Sequence, residues 1–474
     1  MMGLSPIRLL HHHLIQNPQL WLRLLVIICM LLFSIALAFK ASPNQLRLVL
    51  VLLGSVGLVL TFMRWPPLGL SVASVVGLVV PFVGPSGLNV TVILTALLLG
   101  LWLMDMVVRQ RVIRFVSSQT IWPLLAFVVV ASLSFGVGQL PWFTFAPHAP
   151  LGAQLGGLSI VVLSAGGFLL MANQMVNLYW LSRMTWMFFA FAVLAIVVGG
   201  VLPKLGLPTQ KLIQPTGSVY FIWLVSLAFS QAAFNRELHP GWRLALGGLV
   251  LITFYDLFFL RFVIKSGWLP SLVCIAAIIG FRSWRAGLAL ALVGAGSAGY
   301  LVAGVVDQDG YSIATRYDAW QIMAEIIKTN PILGLGFANY YWYTPLFPIR
   351  GYAVSFNSHN NYVDIVAQTG LVGLICFLWF LWEMGWLGWR LRERAPAGFA
   401  QAYVYGALGG LAGTVVVGML GDWVLPFFYN IGLSGFRTSM LGWLFMGGLV
   451  SVEQIIYQKE TEAGESTEMS PRSR

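Results

Sequence analysis

Residues Phe356-Asn357-Ser358-His359-Asn360-Asn361-Tyr362 set a lone histidine among amides and a hydroxyl, just before an apolar run that opens at Tyr362. Imidazole is the side chain whose unperturbed pKa lies nearest working pH, so a positioned His359 can take a proton from a hydroxyl group. Asn357, Asn361 and Tyr362 stand close enough in sequence to support it, and Asp364 follows one helical turn into the run. The same stretch also reads as a helix start with a histidine at its cap and no chemistry at all. The other histidines offer less. His148, in Ala146-Pro147-His148-Ala149-Pro150, has no polar neighbour to orient it and reads as a solvated loop residue, and His11, His12 and His13 read as an interfacial segment ahead of the first apolar run.

Cations form the second element. Arg261 and Lys265 flank the end of one apolar run, with Asp256 shortly before them, and Arg316 lies in a later polar segment. A charge near the end of a span either snorkels to the headgroups or serves a site, and Lys265 alone fits both. Taken with Arg316 and His359 it describes a base beside cations, which suits a donor carrying a diphosphate.

The elements that must position these residues are membrane helices. The chain has 474 residues, 58% hydrophobic and 9% charged, against about 25% charged in an average soluble domain. Apolar runs of the length that crosses about 30 Å of hydrocarbon recur along it. They fall near 21–39, 46–63, 68–84, 88–105, 120–137, 156–175, 184–200, 219–234, 244–260, 268–281, 286–304, 361–384, 400–420 and 438–452. This pattern predicts an all-α polytopic transmembrane bundle of about 12–14 spans, since barrel strands would alternate over about 10 residues. The expected layout is a cytoplasmic N-terminal segment at 1–20, helices across 21–304, a large outer loop at 305–360, further helices across 361–457 and a disordered tail at 458–474. Short-loop arginines such as Arg109, Arg111, Arg183, Arg282 and Arg390 put both termini inside.

The long loop is expected to be ordered. Thr315 and Asp318 resemble a capping box, Ala319, Trp320, Met323, Ile326 and Ile327 share one helical face, and Asn330-Pro331 stops the run. This predicts an amphipathic helix on the outer surface. Gly334-Leu335-Gly336-Phe337, the aromatics Tyr340 to Tyr343, then Pro345 and Pro348 give a non-helical path back to His359. The net charge of +11 is spread over loops; it fits membrane lipids and an anionic substrate, with no nucleic-acid groove. Cys29, Cys274 and Cys376 all lie in apolar runs, so neither a disulfide nor a metal cluster is expected, nor is a cofactor.

From about Phe254 to Gly447 the residues resemble the O-antigen ligase and polymerase superfamily of bacterial lipid-linked glycan glycosyltransferases. The resemblance is carried by Lys265 with Trp268-Leu269, Arg316 with Trp320, Pro331 with Gly334 and Gly336, and His359 with Asn361 and Tyr362, followed by Gly370 and Gly373. It implies that His359 activates an acceptor hydroxyl while Arg316 and the Lys265 position hold the diphosphate of an undecaprenyl-diphosphate-linked glycan. The acceptor would be a lipid, a glycan or a protein, in ligation or in polymerisation, at the outer face of the bacterial cytoplasmic (inner) membrane. A lysine stands where the family carries an arginine, and a shifted alignment would put Arg261 there instead. Two alternatives are a membrane transporter, since bicarbonate-type relatives share the resemblance, and a non-catalytic envelope assembly protein.

The topology is testable directly. In a chain whose three cysteines have been replaced, single cysteines at Ser312 and Tyr352 should react with a membrane-impermeant thiol reagent in intact cells, and one at Ala397 only after lysis. The reverse pattern would put His359 in the cytoplasm.

Overall fold

The computed structural model describes residues 42–80, 82–196, 198, 217–260 and 265–468. The chain divides into two compact units, Met1–Arg64 and Trp65–Arg474. In the first, helix α1 spans Pro43–Arg64; the expected span 21–39 lies outside the described residues. In the second, α2 is Pro66–Val79, α3 Val90–Met104, α4 Ile121–Val137, α5 Leu151–Gln174, α6 Leu178–Ile196, α7 Ser218–Phe234 and α8 Pro240–Tyr255. They are followed by α9 at Lys265–Arg282, α10 at Trp284–Ile327, a single turn α11 at Tyr340–Tyr343, α12 at Asn361–Arg394, α13 at Phe399–Leu420 and α14 at Gly432–Glu468. Each expected apolar run among the described residues falls in a helix, and there is no strand among them beyond one isolated bridge between Ile349 and Tyr352. Seven of these helices are long and apolar enough to cross a membrane, and five shorter apolar helices accompany them. The protein is an all-α polytopic membrane protein.

The centre of the second unit is built from α5, α7, α13 and α14, whose side chains are mostly buried in protein. Without a hydrophobic force between helices in lipid, such packing relies on small residues that let backbones approach. Accordingly α13 lies against both α7 and α9, and a Cβ at its Gly413 would collide with Cys274 and Ile222.

Two boundaries differ from expectation. The amphipathic segment is the far part of α10 rather than a separate surface helix, because no proline or cap interrupts the chain from Trp284 to Asn330. At 44 residues α10 is about 66 Å long if straight, roughly twice the hydrocarbon thickness. Asp318, expected in a capping box, is instead paired through Oδ2 with Arg350 Nε at 2.7 Å. The tail, expected to lose structure from 458, continues as helix to Glu468. Arg394 explains part of this, since its guanidinium reaches both oxygens of Glu460 at 3.0 and 2.8 Å and ties the end of α12 to that of α14.

One break positions everything that follows. Helix α12 is interrupted at Gly370, which has φ 71° and ψ −177°. The loop from Pro331 inserts there. Leu335 and Gly336 donate their backbone N–H groups to the carbonyls of Ala367 and Gln368 at 2.9 and 3.0 Å, while Leu371 and Val372 donate to the carbonyls of Pro331 and Ile332 at 2.8 and 3.3 Å. Four backbone groups beside the break thereby find partners in the loop, as burial at membrane depth demands. Gly334, at φ 72°, makes the turn into the break, and a Cβ there would strike the backbone of Gln368.

Gly370→Ala should therefore lower stability by about 1–3 kcal/mol, the usual cost of a forced left-handed residue, since its methyl would also overlap the Ile332 carbonyl. Gly136→Ala, in open space on α4, is the control. Equal thermal midpoints for the two detergent-solubilised variants would contradict the role given to the break.

Candidate active site

His359 sits in the last turn before α12 with φ 50°, a left-handed conformation that non-glycine residues adopt at a cost. Its neighbours hold it there. Ser358 is fully buried; its hydroxyl donates to Asp364 Oδ1 at 2.6 Å and accepts the backbone N–H of Asn360 at 3.1 Å, and its carbonyl accepts the indole N–H of Trp320 at 2.8 Å. The side chain of Asn360 then caps α12, accepting from the N–H groups of Tyr362 and Val363 at 3.0 and 3.4 Å. The helix-cap and catalytic readings of this stretch are thus separated by one residue, with Asn360 as the cap and His359 left over.

Three loops meet around this turn. Asn361 donates to the Leu425 carbonyl at 2.7 Å and accepts from Val424 N–H at 2.8 Å, which ties the start of α12 to the loop after α13. Asn339 accepts from Ala149 N–H at 2.9 Å and donates to the carbonyls of Gly138 and Leu335, each at 2.8 Å. Rings seal the junction: Tyr340 stacks on Phe427 and Tyr341 on Tyr429, both at 4.7 Å between centroids. Met323 and Ile326 of α10 are buried in the same cluster, which accounts for the apolar face read in the sequence.

The charges around the imidazole come from three elements. Burial pushes the His359 pKa below the ordinary value; Asp422 opposes that, and Arg316 adds to it. Arg316 of α10 is half-buried, and no carboxylate among the described residues pairs with it. Asp422 is buried, accepts Phe427 N–H at 2.9 Å and Asn430 Nδ2 at 2.7 Å, and has its carboxyl pKa raised by that burial. Asp364 lies close enough to feel the charge of Asp422. Tyr340 donates to Asp364 Oδ1 at 2.6 Å, and burial followed by that carboxylate holds its phenol protonated. Behind Asp364 lies a small cavity lined also by Asn361, Gln368, Thr369 and Phe337, with room for about one water molecule.

The structure therefore brings His359, Arg316 and Asp364 together with Asp422, which the sequence reading missed. A signal was present, because Asp422 is the only acidic residue between Glu393 and Glu453. Asn357 stands beside the turn with its amide nitrogen buried and without a partner among the described residues. Tyr362 points away from the turn, giving its hydroxyl to the Val415 carbonyl at 2.8 Å on α13, and Asn361 serves the loop junction. Arg261 and the side chain of Lys265 lie outside the described residues, while the backbone of Lys265 opens α9. His148, read as solvated, is half-buried with Nδ1 at 3.4 Å from the Tyr343 hydroxyl.

The turn thus sets an imidazole near a guanidinium that has no ion pair among the described residues, at an ordered loop end of a polytopic helical membrane protein. In comparison with known families, residues 160–378 match the family model of the O-antigen ligase, a stretch that holds Arg316, His359 and Asp364 but ends before Asp422. Over these residues the chain is similar to the O-antigen ligase family. No curated protein matches the chain.

Because burial and Arg316 favour neutral imidazole, the acid limb of a His359-dependent rate should lie below the ordinary histidine range of about 6.5. Removing the opposing carboxylate with Asp422→Asn should move that limb further down, and Arg316→Gln should move it up. A kcat/KM profile in which neither variant shifts the limb would show that these groups do not act on His359.

Proposed function

We propose that the protein transfers a glycan from a polyprenyl diphosphate, undecaprenyl diphosphate being the expected carrier, to an acceptor hydroxyl at the outer face of the cytoplasmic membrane. The observation that carries this reading is His359, free of hydrogen bonds to the described residues, near Arg316 of α10, which has no ion pair among them. In the reaction the acceptor O–H bond breaks and its proton passes to His359. The acceptor oxygen attacks the anomeric carbon, and the bond from that carbon to the diphosphate oxygen breaks. The diphosphate leaves with the electron pair, its growing negative charge met by Arg316 and by Lys265 or Arg261.

A single displacement inverts the anomeric centre. A diphosphate is already a good leaving group, so a base and fixed cations suffice for the step without a metal or cofactor. Asp422 supports the imidazolium that forms on His359, since its charge favours the protonated ring and its own place is set by Asn430 and Phe427. Ligation to lipid or protein and polymerisation of a lipid-linked repeat need the same groups, and the geometry suits both.

His359→Ala should lower transfer by about 10²–10⁴-fold, the usual contribution of a general base, with expression and insertion near normal because the residue lies between helices. In the same assay Lys265→Met should weaken donor use while Lys265→Arg is tolerated, unless Arg261→Met is far worse, which would assign the role to Arg261. Full transfer by the His359 variant would leave the assembly-protein alternative standing and remove this one.

A further inference from the structure

The imidazole of His359 makes no hydrogen bond to the described residues, so its location is set through the backbone on either side of it. Ser358, Asn360 and the left-handed φ of 50° are what place the ring. All of them trace to one buried carboxylate. Asp364 Oδ1 accepts two hydroxyl groups, each at 2.6 Å: that of Ser358, adjacent to His359, and that of Tyr340, on the loop segment returning from the Gly370 break. The Ser358 carbonyl in turn holds the indole of Trp320 at 2.8 Å, one turn along α10 from Arg316. The path from Arg316 to His359 through α10, Trp320 and Ser358 is thus fastened at its far end by Asp364.

We propose that Asp364 is a positioning residue that sets the placement of His359 relative to Arg316, and that it does so by accepting two hydrogen bonds on one oxygen rather than by its charge. This rests on the transferase reading above. The geometry separates the two modes of action. Both donors converge on Oδ1, and an amide oxygen carries the same two lone pairs, so asparagine can keep both bonds where alanine keeps neither. Oδ2 has no hydrogen-bond partner among the described residues, so a replacement nitrogen there breaks no bond that they make, and the cavity that Asp364 lines has room for about one water to accept from it.

The test compares Asp364→Asn, Asp364→Ala and Ser358→Ala in the full chain, with lipid-linked glycan extracted from the membranes of the producing cell as donor. Asp364→Asn should keep kcat within about tenfold of the native chain, while Asp364→Ala should lose about 10²-fold, the scale of a misplacement near 1 Å, with the donor KM unchanged in both. Ser358→Ala, which leaves the carboxylate and its bond from Tyr340 in place and removes the hydroxyl that links Asp364 to the Asn360 backbone, should fall between them and should show faster amide exchange confined to peptides covering Ser358 to Val363. It carries the test if Asp364→Ala fails to fold. An asparagine variant as slow as the alanine variant would overturn the proposal in favour of an electrostatic role. Full rates in Asp364→Ala, or in Ser358→Ala, would overturn positioning. A native chain without transfer would instead sink the transferase reading, which separates the two failures.

Discussion

Four backbone hydrogen bonds across the break at Gly370 are the constraint on which the rest of the site depends. A helix that opens inside protein leaves N–H and C=O groups that must be met, and the cost of failing is several kcal/mol per group in an apolar setting. The segment Pro331–Gly336 meets them. Once it is held there, Tyr340 is delivered beneath the His359 turn, and the aromatic rings of Tyr340 and Tyr341 are delivered to Phe427 and Tyr429. A loop of some thirty residues between α10 and α12 thus has little freedom left, although almost none of it is regular structure.

The imidazole feels the charges of a buried carboxylate and of a half-buried guanidinium. The two have opposite effects on its protonation, and burial decides the outcome in favour of the neutral ring. That balance suits a base, which must be unprotonated before reaction and tolerated as a cation after it. The carboxylates are spoken for: Asp318 by Arg350, Asp422 by Asn430 and Phe427, Asp364 by Tyr340 and Ser358. This division keeps Arg316 free of ion pairs among the described residues, so an arriving anion does not have to displace an internal partner.

What could be read from the residues in order, and what could not, follows the range of the interactions involved. Helix positions were legible because about twenty apolar residues have one stable conformation in hydrocarbon. His359, Arg316 and the ordered loop were legible because caps, glycines and prolines act over a few neighbours. The merging of the amphipathic segment into α10 was hidden, since a capping pattern at Thr315 and Asp318 is local while Arg350, which claims Asp318, lies 32 residues on. Asp422 was hidden for the same reason: its nearness to His359 depends on Asn361 binding the backbone of Val424 and Leu425 across more than sixty positions. The helical tail likewise depends on the distant Arg394. Tyr362 and Asn361, beside the histidine in sequence, face α13 and the loop after it, because neighbours at the start of a helix point in different directions.

The break at Gly370 also makes Asn361–Thr369 a short helix in its own right, with its N-terminal end at the His359 turn. Aligned peptide dipoles give such an end about half a positive charge. That field acts in the same sense as Arg316, disfavouring an imidazolium and attracting an anionic oxygen, yet it belongs to the backbone and no side-chain substitution removes it. A chain stripped of Arg316 would therefore keep a residual pull on anions at this spot, weak at a distance and strongest within the first turn.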